Sequence, residues 1–385
     1  MPVVRKSIGN GTINVPWEKG GKEKFSLGLN RFPDTWRNEM KLMITCAVLF
    51  FCVLSLHGEK VTEFQDVINP KGIIVHNNNL VVIQNYEIPV HVYSLDTYKL
   101  KHKLGKRGDG PGEVRRTPLV FIGDDSYILF SRGKLLRYDG KGNLSAEEKV
   151  NHQYLSIKPV GDNFLATRDV FDPRDFSHTL KFFIMNKQSV LKREFHQGDR
   201  DVNSARGNNF NQFRMVTHYL DAQTYKNKIF IGDSSRGFRF DVFSENGNLL
   251  YTINRDFDKI RITEDYKGKL IDEFKARESE LWPLVKDVMK FYKHFPPIRS
   301  FFVDDDRIYV TTYKQSGNKQ ELIVLDLKGN PVKRMFINSR SWQMRKFYGM
   351  RVDLFTIKNN RLYELVDNEE NETYELHVTK LGGLK

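Results

Sequence analysis

One short phrase returns six times along this chain. A polar turn built from Asn, Asp, Gly or Lys leads at once into a run of β-forming residues. It reads NNNLVVI at Asn77–Ile83, GDDSYILF at Gly123–Phe130 and GDNFLAT at Gly161–Thr167. It comes back as KNKIFIGD at Lys226–Asp233, DDDRIYVTT at Asp304–Thr312 and KNNRLYELV at Lys358–Val366. Asn, Asp and Gly suit the tight turns of β-hairpins, and the apolar and aromatic residues behind them suit strands. A supersecondary unit repeated six times constrains architecture more than any single motif does.

Each unit carries a second polar turn further on. These are Leu95-Asp96-Thr97, Asp139–Asn143, Met185-Asn186-Lys187, Glu245–Asn248, Asp326–Asn330 and Asn368–Asn371. Strand, hairpin, strand, hairpin and strand make one antiparallel blade. Such a sheet is apolar on both faces and must stack between two neighbours. The spacing therefore predicts an all-β, six-bladed β-propeller. A ring needs closing, and Lys60–Ile68 is available to pair beside Tyr374–Leu381. Ile323 is expected at a buried strand position. With 28 Phe and 16 Tyr in 385 residues, there is material for such a core.

One stretch breaks the rhythm. Residues 264–293 are rich in Lys, Glu, Leu and Asp, and Leu281, Val285, Val288, Met289 and Tyr292 recur at helical spacing. Pro283 suits a helix start. Two short helices, inserted between blades four and five, are expected there, with the apolar stripe packed on the ring rather than forming a lid.

The N-terminal part is organised differently. Leu42–Leu56 (LMITCAVLFFCVLSL) is uncharged, follows Arg37 and Lys41, and holds both cysteines, Cys46 and Cys52. Fifteen apolar residues are short for a membrane span, which needs ~20, and fit the core of a signal peptide. Residues 40–58 are read as that signal, with translation starting at Met40 and the mature chain at Glu59. Residues 1–39 are then an upstream extension, or alternatively a cytoplasmic tail ahead of an uncleaved signal anchor. The propeller would occupy residues 59–385, which lack cysteine and so exclude an internal disulfide or a Cys-ligated zinc. An exported location follows: periplasmic, cell-envelope or extracellular.

Residues 105–118, GKRGDGPGEVRRTP, together with Phe295–Val332, FPPIRSFFVDDDRIYVTTY…LIVLDLKGNPV, resemble bacterial exported six-bladed propellers of the NHL and TolB-like group. In that family G-x-x-G-x-G-P-G-E links the first blade to the second. The resemblance implies fold and export. It implies no common reaction.

The glycines of 105–118 are read as a turn across the ring and not as a phosphate loop, because Thr117-Pro118 lead into a strand rather than a helix. Asp304-Asp305-Asp306 is read as a β-turn, since it lacks the ligand spacing of a calcium loop. Asn85, Glu87, Asp169 and Asp233 are the residues available to an axial metal set, but nothing singles these out, and no metal or cofactor is expected. The histidines show no paired spacing, and no Gly-x-Ser-x-Gly elbow is present.

The candidate ligand-binding residues lie in Arg200–Arg214 (RDVNSARGNNFNQFR), between blades three and four. They are Arg200, Arg206, Phe210, Phe213 and Arg214. Arginines and aromatics suit hydrogen bonding and stacking on a polar or anionic ligand. The net charge is +13; residues 1–58 carry +4 of it and the rest +9. That excess favours anionic partners, but it is diffuse, and no nucleic-acid role is expected. The sequence reading is a monomeric binding or scaffolding module for a protein, glycan or other envelope ligand. Its rival is a periplasmic hydrolase or lyase using the axial channel, with or without a metal.

Overall fold

The computed structural model describes residues 58–382 except 339–353 and short stretches at 124–125, 132, 151–153, 176, 189, 202, 204, 207–208 and 211; it also describes a small hairpin, Lys6–Ile8 with Gly11–Ile13. That hairpin belongs to a separate unit, Met1–Ser55. The expected signal segment lies outside the described residues up to position 57.

Six four-stranded antiparallel sheets follow one another. Each repeated phrase falls at the turn between the first and second strands of a blade. In blade five, Ser300–Asp304 turns into Arg307–Ser316; in blade six, Phe355–Lys358 turns into Arg361–Asn368. Both central residues of these turns are left-handed: φ is 48° and 53° at Asp305 and Asp306, and 49° and 55° at Asn359 and Asn360. Two left-handed residues give the turn twist that matches paired strands, which is why Asn and Asp recur here.

The second turns need a correction. In blades one to five they join strands three and four, whereas Asn368–Asn371 joins strands two and three of blade six. The fourth strand of that blade is Glu59–Phe64, which pairs beside Thr373–Lys380, as the closure argument requires. The turns between strands two and three share no composition and escaped the sequence reading. They range from Asn85–Pro89 in blade one to Gly317-Asn318 in blade five.

Strand alternation closes the ring. Leu80 and Val82 of blade one face Leu365 and Leu376 of blade six, while Val81 faces Leu129 and Leu136 of blade two. Equivalent apolar cores fill the other four interfaces. Ile323 is only partly buried; its neighbours Leu322 and Val324 are fully buried.

Because strands alternate in direction, the repeated turns lie on one face. Blade-to-blade connections and the turns between strands two and three lie on the other, called here the connection face. Near that face a buried polar group in the second strand often ties down the incoming connection. Gln84 accepts a hydrogen bond from the Ile68 amide at 2.8 Å, whereas in blade three the hydroxyl of Thr167 meets that of Ser156 on the inner strand at 2.7 Å. Just beyond blade four's second strand, Ser234 Oγ accepts from the Tyr219 amide at 2.6 Å. Buried polar atoms need such partners.

Helix α1, Glu264–Arg277, starts at Thr263, whose side chain caps the Tyr266 amide, with Glu264 and Asp265 in the first turn. Helix α2 is only Trp282–Val285, with Pro283 in its first turn. Helical spacing misled beyond it: Met289–Lys290 is extended and pairs in parallel with Phe213–Arg214. The insert is stemmed like a hairpin, since the Phe295 amide bonds Ile260 O at 2.8 Å and the Ile262 amide bonds Lys293 O at 3.1 Å.

Candidate functional site

The connection face is raised over blades three to five. In blade three the described inner-strand pairing reaches Tyr154 opposite Arg168, while the second strand continues to Asp172 and the third begins at Ser177. Four extra residues carry that hairpin about 13 Å past the ring. Blade five behaves alike: Ser300 pairs with Thr311, and the hairpin runs on through Gln315 and Gln320. Between these overhangs run the connection 200–219 and the insert.

The connection is bolted on both sides by successive residues. Arg200 turns to blade three: its amide donates to His178 O at 2.7 Å and its guanidinium to Asp169 at 2.6 Å. The same carboxylate holds His178 Nδ1 at 3.2 Å, and Phe171 packs on that imidazole. Asp201 turns to the insert. It accepts from the Tyr292 hydroxyl at 2.7 Å and the His218 amide at 3.0 Å, with Arg214 at 3.5 Å. Arg214 lies 4.7 Å over the Tyr292 ring and also bonds its hydroxyl. Asn203 clasps both backbone groups of Arg214, at 2.7 and 3.0 Å.

Burial, followed by the hydrogen bond to Asp201, pushes the Tyr292 hydroxyl well above its usual range, so it stays a neutral donor. Burial also lowers His218, against the pull of Asp201 and Asp233, so its ring is neutral at neutral pH. Its Nδ1 is buried without a hydrogen-bond partner, and its ring sits 4.5 Å from Tyr292.

The insert is packed down on both flanks. Phe213, 1% exposed, joins Phe274 and Val285 in one core. On the other flank Tyr313, from the blade-five overhang, stacks on Phe295 with centroids 4.6 Å apart, and Val216 and Ile262 fill in beside it. The segment is built into the wall.

Of the five sequence candidates, Phe213 fills the insert's core, because the strand it belongs to pairs with Met289–Lys290. Arg200 and Arg214 are each about three-quarters buried and ion-paired. Arg206 and Phe210 lie in a small hairpin, Ala205–Arg206 with Asn209–Phe210; their side chains are outside the described residues. His178, Asp201 and His218 were not singled out, while Asp169 was named only for an axial metal set and Tyr292 only for a helical stripe; none carries a local sequence signal for this site. The axial set does not assemble. Asn85 accepts from Arg107 and Thr117, Asp169 is taken by Arg200 and His178, and Asp233 caps Ser235. Among the described residues no three metal-ligating side chains converge.

A family model described as a 6-bladed beta-propeller matches residues 53–224. The chain is a six-bladed β-propeller. No curated protein matches it. Solved propellers that resemble it do so distantly. One is a protein of Bacteroides fragilis inferred to be exported, at 11% identity and TM-score 0.49, covering 83% of this chain and 93% of that one. Another is BamB of Moraxella catarrhalis, at 11% identity and TM-score 0.36, covering 83% and 99%. A third is Sqt1 of Saccharomyces cerevisiae, at 9% identity and TM-score 0.37, covering 86% and 87%.

Proposed function

We propose that this propeller is an exported binding and scaffolding module that holds a polar or anionic envelope component, or a protein partner, against the raised wall over blades three to five. The observation that carries the reading is the double bolting of 200–219, through Arg200 to blade three and Asp201 to the insert. A raised, rigid surface on a β scaffold recognises at low ordering cost, and loops held this way are where binding residues concentrate. Export is supported by the charge-free run Leu42–Leu56 behind a basic flank and by a body without cysteine.

The test is binding of an anionic envelope polysaccharide by protein carrying Arg206→Ala and Phe210→Ala. Affinity should fall, the wild-type affinity should drop as salt rises, and stability should move by less than about 0.5 kcal/mol. A variant that binds like the wild type sinks the reading. A stoichiometric axial ion in purified protein would favour the hydrolase or lyase instead.

A further inference from the structure

A second basic feature lies off the wall, at the inner end of blade three. Arg168 stands opposite Tyr154, at the connection-face limit of that blade's inner-strand pairing. Alternation along the strand sets its direction. Phe164 and Ala166, on the same side as Arg168, pack in the core shared with blade two, whereas Leu165 packs towards blade four. The guanidinium carbon lies 5.4 Å from the Tyr154 ring centroid and 5.2 Å from that of Phe183. Its Nε is buried with no hydrogen-bond partner, while the residue as a whole keeps partial exposure.

No carboxylate among the described residues neutralises it. Asp169, next in the chain, points to the other side of the strand and is already taken by Arg200 at 2.6 Å and His178 at 3.2 Å. Arg200 and Arg214 each have an acidic partner; Arg168 has aromatic faces instead. Cation–π contact offsets only part of the cost of desolvating a charge. One more guanidinium stands at the same end of the neighbouring blade. Arg116 is exposed, precedes blade two's inner strand by three residues, and makes no ion pair among the described residues; its carbonyl accepts from Ser131 at 3.5 Å. A planar guanidinium oriented by two aromatic rings, partly exposed and without a carboxylate partner, is suited to an oxyanion.

We propose that Arg168, backed by Arg116, forms an oxyanion-binding site at the connection-face mouth between blades two and three, taking a carboxylate or phosphate group of a ligand. The site shares no residue with the wall and stands whether or not the wall binds.

The experiment titrates folded full-length protein with inorganic phosphate, and separately with acetate, while arginine side-chain Nε–Hε signals are followed by NMR. One exchange-protected signal, assigned to Arg168 by its loss in Arg168→Met, should shift saturably with at least one of the two anions. Which anion saturates at lower concentration tells phosphate from carboxylate. Arg168→Lys keeps the charge and loses the fork; calorimetry with the preferred anion should show binding weakened at least about tenfold. Arg116→Ala should weaken binding without moving the Arg168 signal in the free protein. The proposal is overturned if neither anion gives a saturable shift. It is equally overturned if Arg168→Lys binds like the wild type, which also covers the case of Arg168→Met failing to fold.

Discussion

Asp201 shows how much one side chain decides on this molecule. Its carboxylate is 14% exposed and gathers Tyr292, the His218 amide and Arg214. Asp201→Ala removes the acceptor of the Tyr292 hydroxyl and the His218 amide, and the ion-pair partner of Arg214, at a cost of about 1–3 kcal/mol. Because the loss falls on the insert and not on the blade cores, hydrogen exchange should quicken at residues 286–292 and stay unchanged in the blade strands. Uniformly faster exchange would show that the wall and the ring open together. Gly108 is a second single-residue constraint. Its φ is +153°, and an added Cβ would stand 2.0 Å from a Glu113 carboxylate oxygen, the same carboxylate that accepts from the Gly110 amide at 2.9 Å. Gly108→Ala should cost about 1–3 kcal/mol and lower the melting temperature; a wild-type value would mean the 105–118 turn is slack.

At the scale of elements, the closing strand Glu59–Phe64 matters most. It is held to Thr373–Lys380 by the ladder and by Glu375, which accepts from Lys60 at 2.6 Å and contacts His377 at 2.8 Å. Lys60 first, then His377, draw the Glu375 carboxyl down to about 2 from an ordinary 4.5. A carboxyl depressed in the fold stabilises fully above its unfolded value, and that contribution disappears as pH falls through the folded value. Closure should therefore weaken between pH 4.5 and about 2. Urea midpoints across that window should fall less steeply in Glu375→Gln than in the wild type, and parallel slopes would remove Glu375 from the account. The insert is an element of the opposite kind. Its stem residues Ile260 and Phe295 are hydrogen-bonded at 2.8 Å, so a short linker can replace 261–294. The six interface cores use none of the excised residues, and Ile298, in the core between blades four and five, stays, so the β circular-dichroism spectrum should persist. Loss of the ring fold would show that the insert is part of its foundation.

The whole molecule should respond to pH through imidazoles, one buried and two partly buried, spread over the ring. His91, His196 and His218 all have their pKa lowered, in each case chiefly by burial. Below the ordinary value of 6.5 the unfolded chain takes up protons that the fold refuses, so stability falls as pH drops. The melting temperature should begin to decline near pH 6.5, before the carboxylates titrate. His196, wedged against Phe182 and Phe243 with centroids 5.5 and 5.4 Å away, offers the check: His196→Phe should flatten the decline. A pH profile unchanged in that variant would assign the effect elsewhere.

The parts of this architecture legible in the sequence are those set by local chemistry. Left-handed turns select Asn, Asp and Gly, so six phrases counted six blades before any contact was known. Thr263, Glu264 and Asp265 begin a helix for reasons confined to one turn of backbone. Complementary β-runs at the two ends of the body foretold the closing strand. What the sequence left open depends on residues far apart in the chain. Met289 has helical spacing behind it, yet it is extended, because a parallel partner at Phe213 outweighs a weak local preference. Phe213 reads as a surface aromatic and is core, since Phe274 and Val285 cover it. Asp201 and Tyr292 stand ninety-one positions apart and meet at 2.7 Å. Arg168 is one arginine among many until two aromatic rings flank it and Asp169, next in the chain, turns to Arg200. Periodicity records which face a residue occupies; only the folded ring decides what stands opposite.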